Sequence, residues 1–394
     1  MSATGAVDVS ATERCLAAPD ISVVMPCLNE AASVRSCVEK AWEGIRRTGL
    51  VGEVVVSDNG STDDSVAVAR QAGARVVHQP APGYGNACLK GFAEARGRYI
   101  VMGDSDGSYD FAELDRLVEP LHAGCDYVLG SRFGGKILPG AMPWSHRYIG
   151  NPLLTGVLNR LFNVASSDAH SGMRAFTSDA YRRMALQSEG MELASEMVIN
   201  AARLGLRGTE VPITYHRREG ESKLRSMRDG WRHLRFMLLL SPNWLFVGPG
   251  VAMFVLGLLG QALLLPGPLN VGFHALDVHF SALFALLAIF GYQTLLFGVF
   301  ARTCLPAEQG TAADRLQRWF GRNYTLERGL LAGGLMFVIG FVIDVVILLH
   351  WLRKGLGPIN SLRPALLAMT LMMVGAQTSF AAFFLSLFRS DREP

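Results

Sequence analysis

Gly97-Arg-Tyr-Ile-Val-Met-Gly-Asp-Ser-Asp-Gly-Ser-Tyr-Asp110 decides how the rest of this 394-residue chain is read. The apolar run Tyr99–Met102 has the length and composition of a buried strand. It stops at Gly103, and two carboxylates follow at Asp104 and Asp106. On extended backbone, residues i and i+2 project to the same side, so both acids can address one point. In an open α/β sheet, ligands gather at the carboxyl ends of the strands. Two hard oxygen donors at such a place suit Mg²⁺ or Mn²⁺ bridging a diphosphate. An isolated Asp-X-Asp is also a common solvated turn, and its neighbours separate the two.

Those neighbours repeat one pattern. Between Ile21 and about His216, short apolar runs alternate with helical ones. Strands are expected at Ile21–Met25, Glu53–Ser57, Arg75–His78, Tyr99–Met102 and Asp126–Gly130. Helices are expected at Ala32–Arg47, Asp63–Ala72, Gly83–Ala95 and Phe111–His122. Such alternation implies crossover units and a mainly parallel sheet, a Rossmann-like α/β domain. A parallel sheet collects the segments that follow its strands along one rim. Here they are Pro26-Cys-Leu-Asn29-Glu30, Ser57-Asp58-Asn-Gly-Ser-Thr-Asp63, Gly83-Tyr-Gly-Asn-Ala87 and Asp104-Ser105-Asp106. Glu30, Asp58, Gly83, Asp104 and Asp106 thus share an edge, and the glycines permit close backbone approach to a ligand.

The second half answers to a different solvent. Half of the chain is hydrophobic, and the mean hydropathy of +0.24 is high for a soluble protein. Most of the excess follows Trp244, in four stretches at Trp244–Leu265, Phe280–Ala301, Leu330–Leu352 and Ala365–Phe388. Each is long enough to span a bilayer. The loop Pro266–His279 has no Lys or Arg, whereas Arg302–Gly329 carries Arg302, Arg315, Arg318, Arg322 and Arg328. That bias places the N-terminal domain, the second loop and the C-terminus in the cytoplasm. Arg353, Lys354 and Arg363 in the third loop fit this less well. Asp344 lies deep in the third span, where an acid is costly. Met142–Val164 and Leu224–Leu240 read as amphipathic segments, the second with Arg225, Arg228, Arg232 and Arg235 placed to meet an anionic membrane surface. A net charge of +3 gives no argument for nucleic acid. Six cysteines without paired spacing suit reduced thiols. Met1–Asp20 is small and polar, expected to be a disordered tail rather than a signal peptide.

Ser22-Val-Val-Met-Pro26 with Asn29-Glu30, Asp58-Asn-Gly-Ser-Thr-Asp63 and Asp104-Ser-Asp106 resemble the family 2 glycosyltransferases of the inverting, GT-A-fold type. Gly130-Ser-Arg-Phe133, Asp168-Ala-His-Ser-Gly-Met-Arg-Ala-Phe176 and Gly220-Glu-Ser-Lys-Leu224 are similar to the polyprenyl- or dolichyl-phosphate sugar synthases. The resemblance covers about Ile21–Leu245. It departs at Asp58-Asn59-Gly60, where many relatives have two acids before the glycine.

The resemblance implies a GT-A domain at 21–223; the amphipathic and apolar patterns add an interfacial helix at 224–243, four spans over 244–388 and a tail at 389–394. It implies transfer of glucose or mannose from a nucleotide sugar of the UDP-glucose or GDP-mannose class to polyprenyl phosphate, with inversion. Pro26, Asn29, Glu30, Asp58, Gly83, Asp104 and Ser105 would bind the nucleotide sugar, with Mg²⁺ or Mn²⁺ at Asp104 and Asp106. Arg132, Arg217, Arg218, Ser222 and Lys223 would grip phosphate, as Arg forks do. Asp104, Asp106, Arg132 and Asp168 form the expected catalytic set. Two alternatives remain: a lipid-hydroxyl acceptor, which would need a base such as Asp168, and a lipid-linked-sugar translocator. The setting expected is the plasma membrane, with the catalytic domain on its cytoplasmic side; a homo-oligomer is compatible with this.

Overall fold

The computed structural model describes residues 18–220, 226–271, 274–304, 325–356 and 361–390. Most of the expected N-terminal tail, Ser222, Lys223 and Arg225 lie outside the described residues. The chain divides into two compact units, Met1–Met237 and Leu238–Pro394.

The first unit is built on a seven-stranded sheet in the order β3-β2-β1-β4-β6-β5-β7. Its strands are β1 Ile21–Cys27, β2 Gly52–Asp58, β3 Arg75–His78, β4 Tyr99–Met102, β5 Tyr127–Ile137, β6 Arg174–Thr177 and β7 Gly208–Tyr215. The pairs β1–β2, β1–β4, β2–β3 and β5–β7 are parallel. Strand β6 runs antiparallel between β4 and β5. The five expected strands are present, with β5 extending further to Ile137. Strands β6 and β7 have no counterpart among those expectations.

Helices α1 Val34–Thr48, α2 Ser65–Gln71, α3 Tyr84–Glu94 and α4 Leu114–His122 connect the first five strands. The central strands are apolar without alternation because both faces of the sheet are covered. Val23, Met25, Val54, Val56 and Val101 pack on one side with α1 and α4. Val24, Val55, Ile100 and Met102 pack on the other with Phe92 and Phe176. Helices α5 Asn151–Phe162, α6 Ser178–Met184 and α7 Leu193–Arg203 complete the unit. Helix α8, Ser226–Leu239, crosses the division between the units. It exposes Trp231 and buries His233 and Met237.

Among the described residues, the second unit holds four helices long and apolar enough to cross a membrane: Asn243–Leu264, Val278–Thr303, Leu326–Arg353 and Leu362–Leu387. A short hairpin, Leu269–Val271 with His274–Leu276, joins the first two. Asp277 and Arg363 form an ion pair. Arg363 therefore sits beside an acid from the first loop, which has no Lys or Arg. Polar groups within the spans also pair: Gln261 donates to the Thr370 hydroxyl at 2.8 Å, and the Tyr292 and Thr378 hydroxyls lie 2.6 Å apart.

The last two spans meet backbone to backbone, as small residues allow in membranes. A Cβ added at Gly333 would lie 2.5 Å from the Gly375 carbonyl oxygen, while one at Gly334 would meet nothing within 4 Å. Gly333→Leu is expected to cost about 1–3 kcal/mol through overpacking. Gly334→Leu should be near neutral. Thermal unfolding of both variants in detergent, against the unaltered chain, checks the difference.

Candidate active site

The acid pair stands where β4 leaves the sheet. The Gly103 amide donates to the Val24 carbonyl at 3.3 Å. The Ser105 hydroxyl then donates to the Pro26 carbonyl at 2.8 Å, and the Ser33 hydroxyl to the Ser105 carbonyl at 2.7 Å. These bonds fasten Asp104-Ser-Asp106 to the carboxyl end of β1. Asp104 Oδ1 accepts the Tyr84 phenol at 2.8 Å. Asp106 Oδ1 accepts the Ser108 amide at 2.9 Å. Its Oδ2 faces Arg218 Nη2 at 2.9 Å, and the same nitrogen reaches Glu30 Oε1 at 3.3 Å. Burial, and then the charge of Asp106, push the Asp104 carboxyl up to about 7.

The remaining rim residues are held by their own structural bonds. Asp58 is buried and closes the turn after β2, accepting the Gly60 and Ser61 amides at 3.2 and 3.1 Å and facing His78 Nδ1 at 2.9 Å. Asn29 adopts a left-handed φ of 52° and accepts the Thr62 amide at 2.7 Å. Asn59, the departure from the family pattern, ties two rim loops together. Its Nδ2 donates to the Gln79 and Ala81 carbonyls, and its Oδ1 accepts the Gly83 amide at 2.8 Å. Added Cβ atoms at Gly83 and Gly85 would lie 2.4 Å from the Glu189 oxygen and 2.1 Å from the Ser188 oxygen. The close approach those glycines permit is thus made by the chain's own backbone.

Asp168, expected in the catalytic set, is held by an arginine. It is fully buried, and Arg132 occupies both its oxygens: Nε on Oδ2 and Nη2 on Oδ1, each at 2.7 Å, with the Arg132 amide also on Oδ2 at 3.0 Å. A carboxylate so engaged is a clamp for a guanidinium, not a base for an incoming hydroxyl. The far face of Arg132 lies over the Tyr215 ring, 5.2 Å from its centroid. Arg174, fully buried, pins the same segment by donating to the Ala169, Ser171 and Ala194 carbonyls.

Arg132 opens onto a cavity of about 680 Å³. Its walls are of two kinds. Arg132, Arg217, Arg218, His146, His170 and His233 give it cationic or imidazole groups, and Met142, Ile149 and Leu154 give it an apolar side. Ser195 Oγ bridges His170 Nε2 at 3.2 Å and His233 Nδ1 at 2.8 Å. Burial pulls His233 down to about 4 and His170 well below the ordinary imidazole value, so both are neutral at physiological pH.

The structure therefore brings Asp104, Asp106, Glu30, Ser105, Pro26 and Arg218 to one cluster. Arg132, Arg217 and Arg218 reach the cavity. Tyr84, Asn59, Arg174, His170, Ser195 and His233 were not found by sequence reasoning. Tyr84 lies between two glycines at a strand end, Asn59 marks the departure from the family pattern, and His170 and Arg174 lie within the Asp168–Phe176 motif, while Ser195 and His233 carried no signal. In the described residues, no three His, Cys, Asp or Glu side chains gather as a metal-binding group.

The chain is similar to known proteins in both of its halves. Residues 22–185 match the model for glycosyl transferase family 2, and residues 306–389 match that for the glycosyltransferase family 2 C-terminal transmembrane region. The low-salt glycan biosynthesis hexosyltransferase of Haloferax volcanii is 40% identical over 369 residues, 93% of this chain and 89% of that protein. The dolichyl-phosphate hexose transferase of the same organism is 33% identical over 217 residues, 54% of this chain and 89% of its own length. Among solved structures, glucosyl-3-phosphoglycerate synthase from Mycobacterium tuberculosis, with Mn²⁺, UDP and glucosyl-3-phosphoglycerate, aligns at 24% identity and a TM-score of 0.44. It covers 61% of this chain and 84% of that one. The chain belongs to glycosyltransferase family 2. It is a multi-pass membrane glycosyltransferase with a GT-A-like domain.

Two outcomes follow from the charges. The folded state keeps the Asp104 proton where the unfolded carboxyl, near 3.8, has lost it, so its contribution to stability falls as pH rises from 3.8 to about 7. Asp104→Asn removes that cost. It should unfold at a higher temperature than the parent at about pH 8, with a gap less than half as large near pH 5; thermal melts in metal-free buffer at both pH values check this. Asp168→Ala strands a buried guanidinium and is expected to cost about 3–5 kcal/mol. Denaturant unfolding of the parent and variant measures the loss.

Proposed function

We propose that this enzyme transfers a hexose, glucose or mannose, from a nucleoside-diphosphate sugar to polyprenyl phosphate, inverting the anomeric carbon. One observation carries the reading: the cavity beside the acid cluster sets three arginines against an apolar wall of Met142, Ile149 and Leu154. A phosphate joined to a hydrocarbon chain matches both walls. The names of the two Haloferax relatives, a hexosyltransferase and a dolichyl-phosphate hexose transferase, support the same acceptor class and sugar size.

The chemistry balances without a side-chain base. An acceptor phosphate oxygen bonds to the anomeric carbon as the bond from that carbon to the donor diphosphate breaks, and the electron pair leaves with the nucleoside diphosphate. A phosphate monoester carries about 1.5 to 2 negative charges at neutral pH, so its attacking oxygen is already deprotonated. Positioning and charge neutralisation are what remain. Arg132, held rigid by Asp168 and Tyr215, presents a fixed cation to the acceptor. Pro26, Asn29, Glu30, Asp58, Gly83 and Ser105 would line the nucleotide-sugar site. Ser222 and Lys223 would act from the segment outside the described residues. A lipid-hydroxyl acceptor is the weaker reading, because Asp168 is already committed to Arg132.

The donor set at the rim fits Mg²⁺ or Mn²⁺. Asp104 and Asp106 offer hard oxygens, and the place already draws a positive group, the Arg218 guanidinium. With two carboxylates from the protein, the diphosphate and water would complete the coordination. Such an ion, when bound, neutralises charge on the departing diphosphate. The protein would sit in the plasma membrane with its catalytic domain in the cytoplasm, as the arginine bias of the loops favours. Helix α8 would lie at the membrane interface, and the domain boundaries would follow those expected from sequence.

Incubating purified protein with a panel of nucleotide sugars and polyprenyl phosphate, then weighing the lipid product, tests the reaction. A hexosyl polyprenyl phosphate is expected. Asp106→Asn should lower turnover by about two or more orders of magnitude, comparable to losing an electrostatic stabiliser. Arg132→Ala should weaken the lipid phosphate more than the nucleotide sugar. Transfer only to a lipid hydroxyl would refute the reading. For topology, a cysteine placed at Asn270 should label from outside intact cells, and labelling only after permeabilisation would reverse the orientation.

A further inference from the structure

Arg132 and Arg218 line the same cavity but are held in different ways. Arg132 uses Nε and Nη2 together on one buried carboxylate, each at 2.7 Å, with Tyr215 across its face. Arg218 Nη2 lies 2.9 Å from Asp106 and 3.3 Å from Glu30. Among the described residues, its buried Nε has no hydrogen-bond partner. One guanidinium is locked through two nitrogens, and the other keeps a buried Nε without a partner among the described residues.

The backbone around Arg218 is not free to follow its side chain. The His216 amide donates to the Ser108 carbonyl at 2.9 Å, and the Glu219 amide to the Asp106 carbonyl at 2.9 Å. These bonds bracket Arg218 and tether its segment to the acid loop. Any change of partner must therefore be a swing of the side chain. Its present partner, Asp106, is one of the two carboxylates assigned above to a divalent ion. Two cations cannot both take that oxygen without strong repulsion. The tethered guanidinium then needs another anion, and the cavity it already lines is where the acceptor phosphate is placed.

We propose that Arg218 is a shared cation, held by Asp106 and Glu30 until the donor complex claims Asp106, and then turned to the acceptor phosphate. Donor loading thereby raises acceptor affinity, and linkage requires the converse as well. The proposal rests on the metal and acceptor reading above. It assigns Arg218 as a positioning residue that orders the two substrates, beyond a role as one more phosphate ligand.

The test uses the full chain in detergent and three probes: Mn²⁺ followed by electron paramagnetic resonance, UDP, and geranyl phosphate followed by calorimetry. Arg218→Gln removes the competitor for Asp106 and should bind Mn²⁺ about tenfold tighter than the parent. Arg217→Gln removes the same charge from an exposed neighbour and should change Mn²⁺ affinity by less than about twofold. In the parent, Mn²⁺ with UDP should tighten geranyl phosphate about tenfold, and in Arg218→Gln that gain should vanish. Arg218→Lys keeps a charge beside Asp106 and Glu30 without the planar fork, and should fall between the two in both measurements. Equal or weaker Mn²⁺ binding by Arg218→Gln, or a gain that survives in it, would overturn the proposal alone. Mn²⁺ binding to none of the proteins would remove the metal reading, and the proposal with it.

Discussion

The contact on which the site depends is the buried pair between Arg132 and Asp168. A guanidinium in strand β5 and a carboxylate in the connection before β6 meet through three hydrogen bonds, counting the Arg132 amide. Either charge alone in that interior would be strongly destabilising, so each fixes the other. The pair anchors the segment 168–174, which Arg174 pins a second time through three carbonyls. From there the chain enters β6, the one strand running antiparallel to its neighbours β4 and β5. The same segment brings Gly172 against Asp104: a Cβ there would lie 2.9 Å from its Oδ2. A single ion pair thus joins the cationic cavity to the acid rim.

The sequence made the first five strands and the acid rim legible because both rest on local rules. Buried parallel strands are unbroken apolar runs, and their carboxyl ends are where polar residues and glycines follow. Strands β6 and β7 obey neither rule. Strand β6 is four residues long and begins with Arg174, a charged residue satisfied by the Ala169 and Ser171 carbonyls just before it and the Ala194 carbonyl twenty residues on. Strand β7 carries Glu210 and Pro212, a proline that an edge position tolerates because no inner ladder bond is lost. Asn59 was read as a departure in nucleotide contacts, yet its amide links three neighbouring loop residues. The commitment of Asp168 to Arg132 was equally out of reach, since nothing in 36 residues of separation states a contact.

The spans were legible from length and hydropathy, while Arg353, Lys354 and Arg363 stand against the loop-charge bias. Of these, Arg363 pairs with Asp277 just before the second span, a contact between loops that no local pattern states. Within the spans, Gln261 Nε2 donates to Thr370 and the Tyr292 and Thr378 hydroxyls pair, so these groups do not face hydrocarbon alone.

Joining two phosphate-bearing substrates is, for an enzyme of this proposed activity, first a problem of repulsion. A diphosphate donor and a monophosphate acceptor carry like charge, and the reaction asks them to meet within bonding distance. Carboxylates at the rim would make this worse if they stood alone. They do not: Asp106 and Glu30 share Arg218, Asp168 is matched by Arg132, and Asp104 is pushed toward its neutral form. Each acid at the boundary is therefore balanced by a cation or a proton. Clamping Arg132 rather than leaving it solvated also removes the reorganisation it would otherwise need when an anion arrives, which is the property electrostatic stabilisation depends on. Placing the boundary between acids and cations at a single tethered residue allows the balance to change when a stronger cation reaches the acids. That gives the fold a way to admit the two anions in order rather than at once.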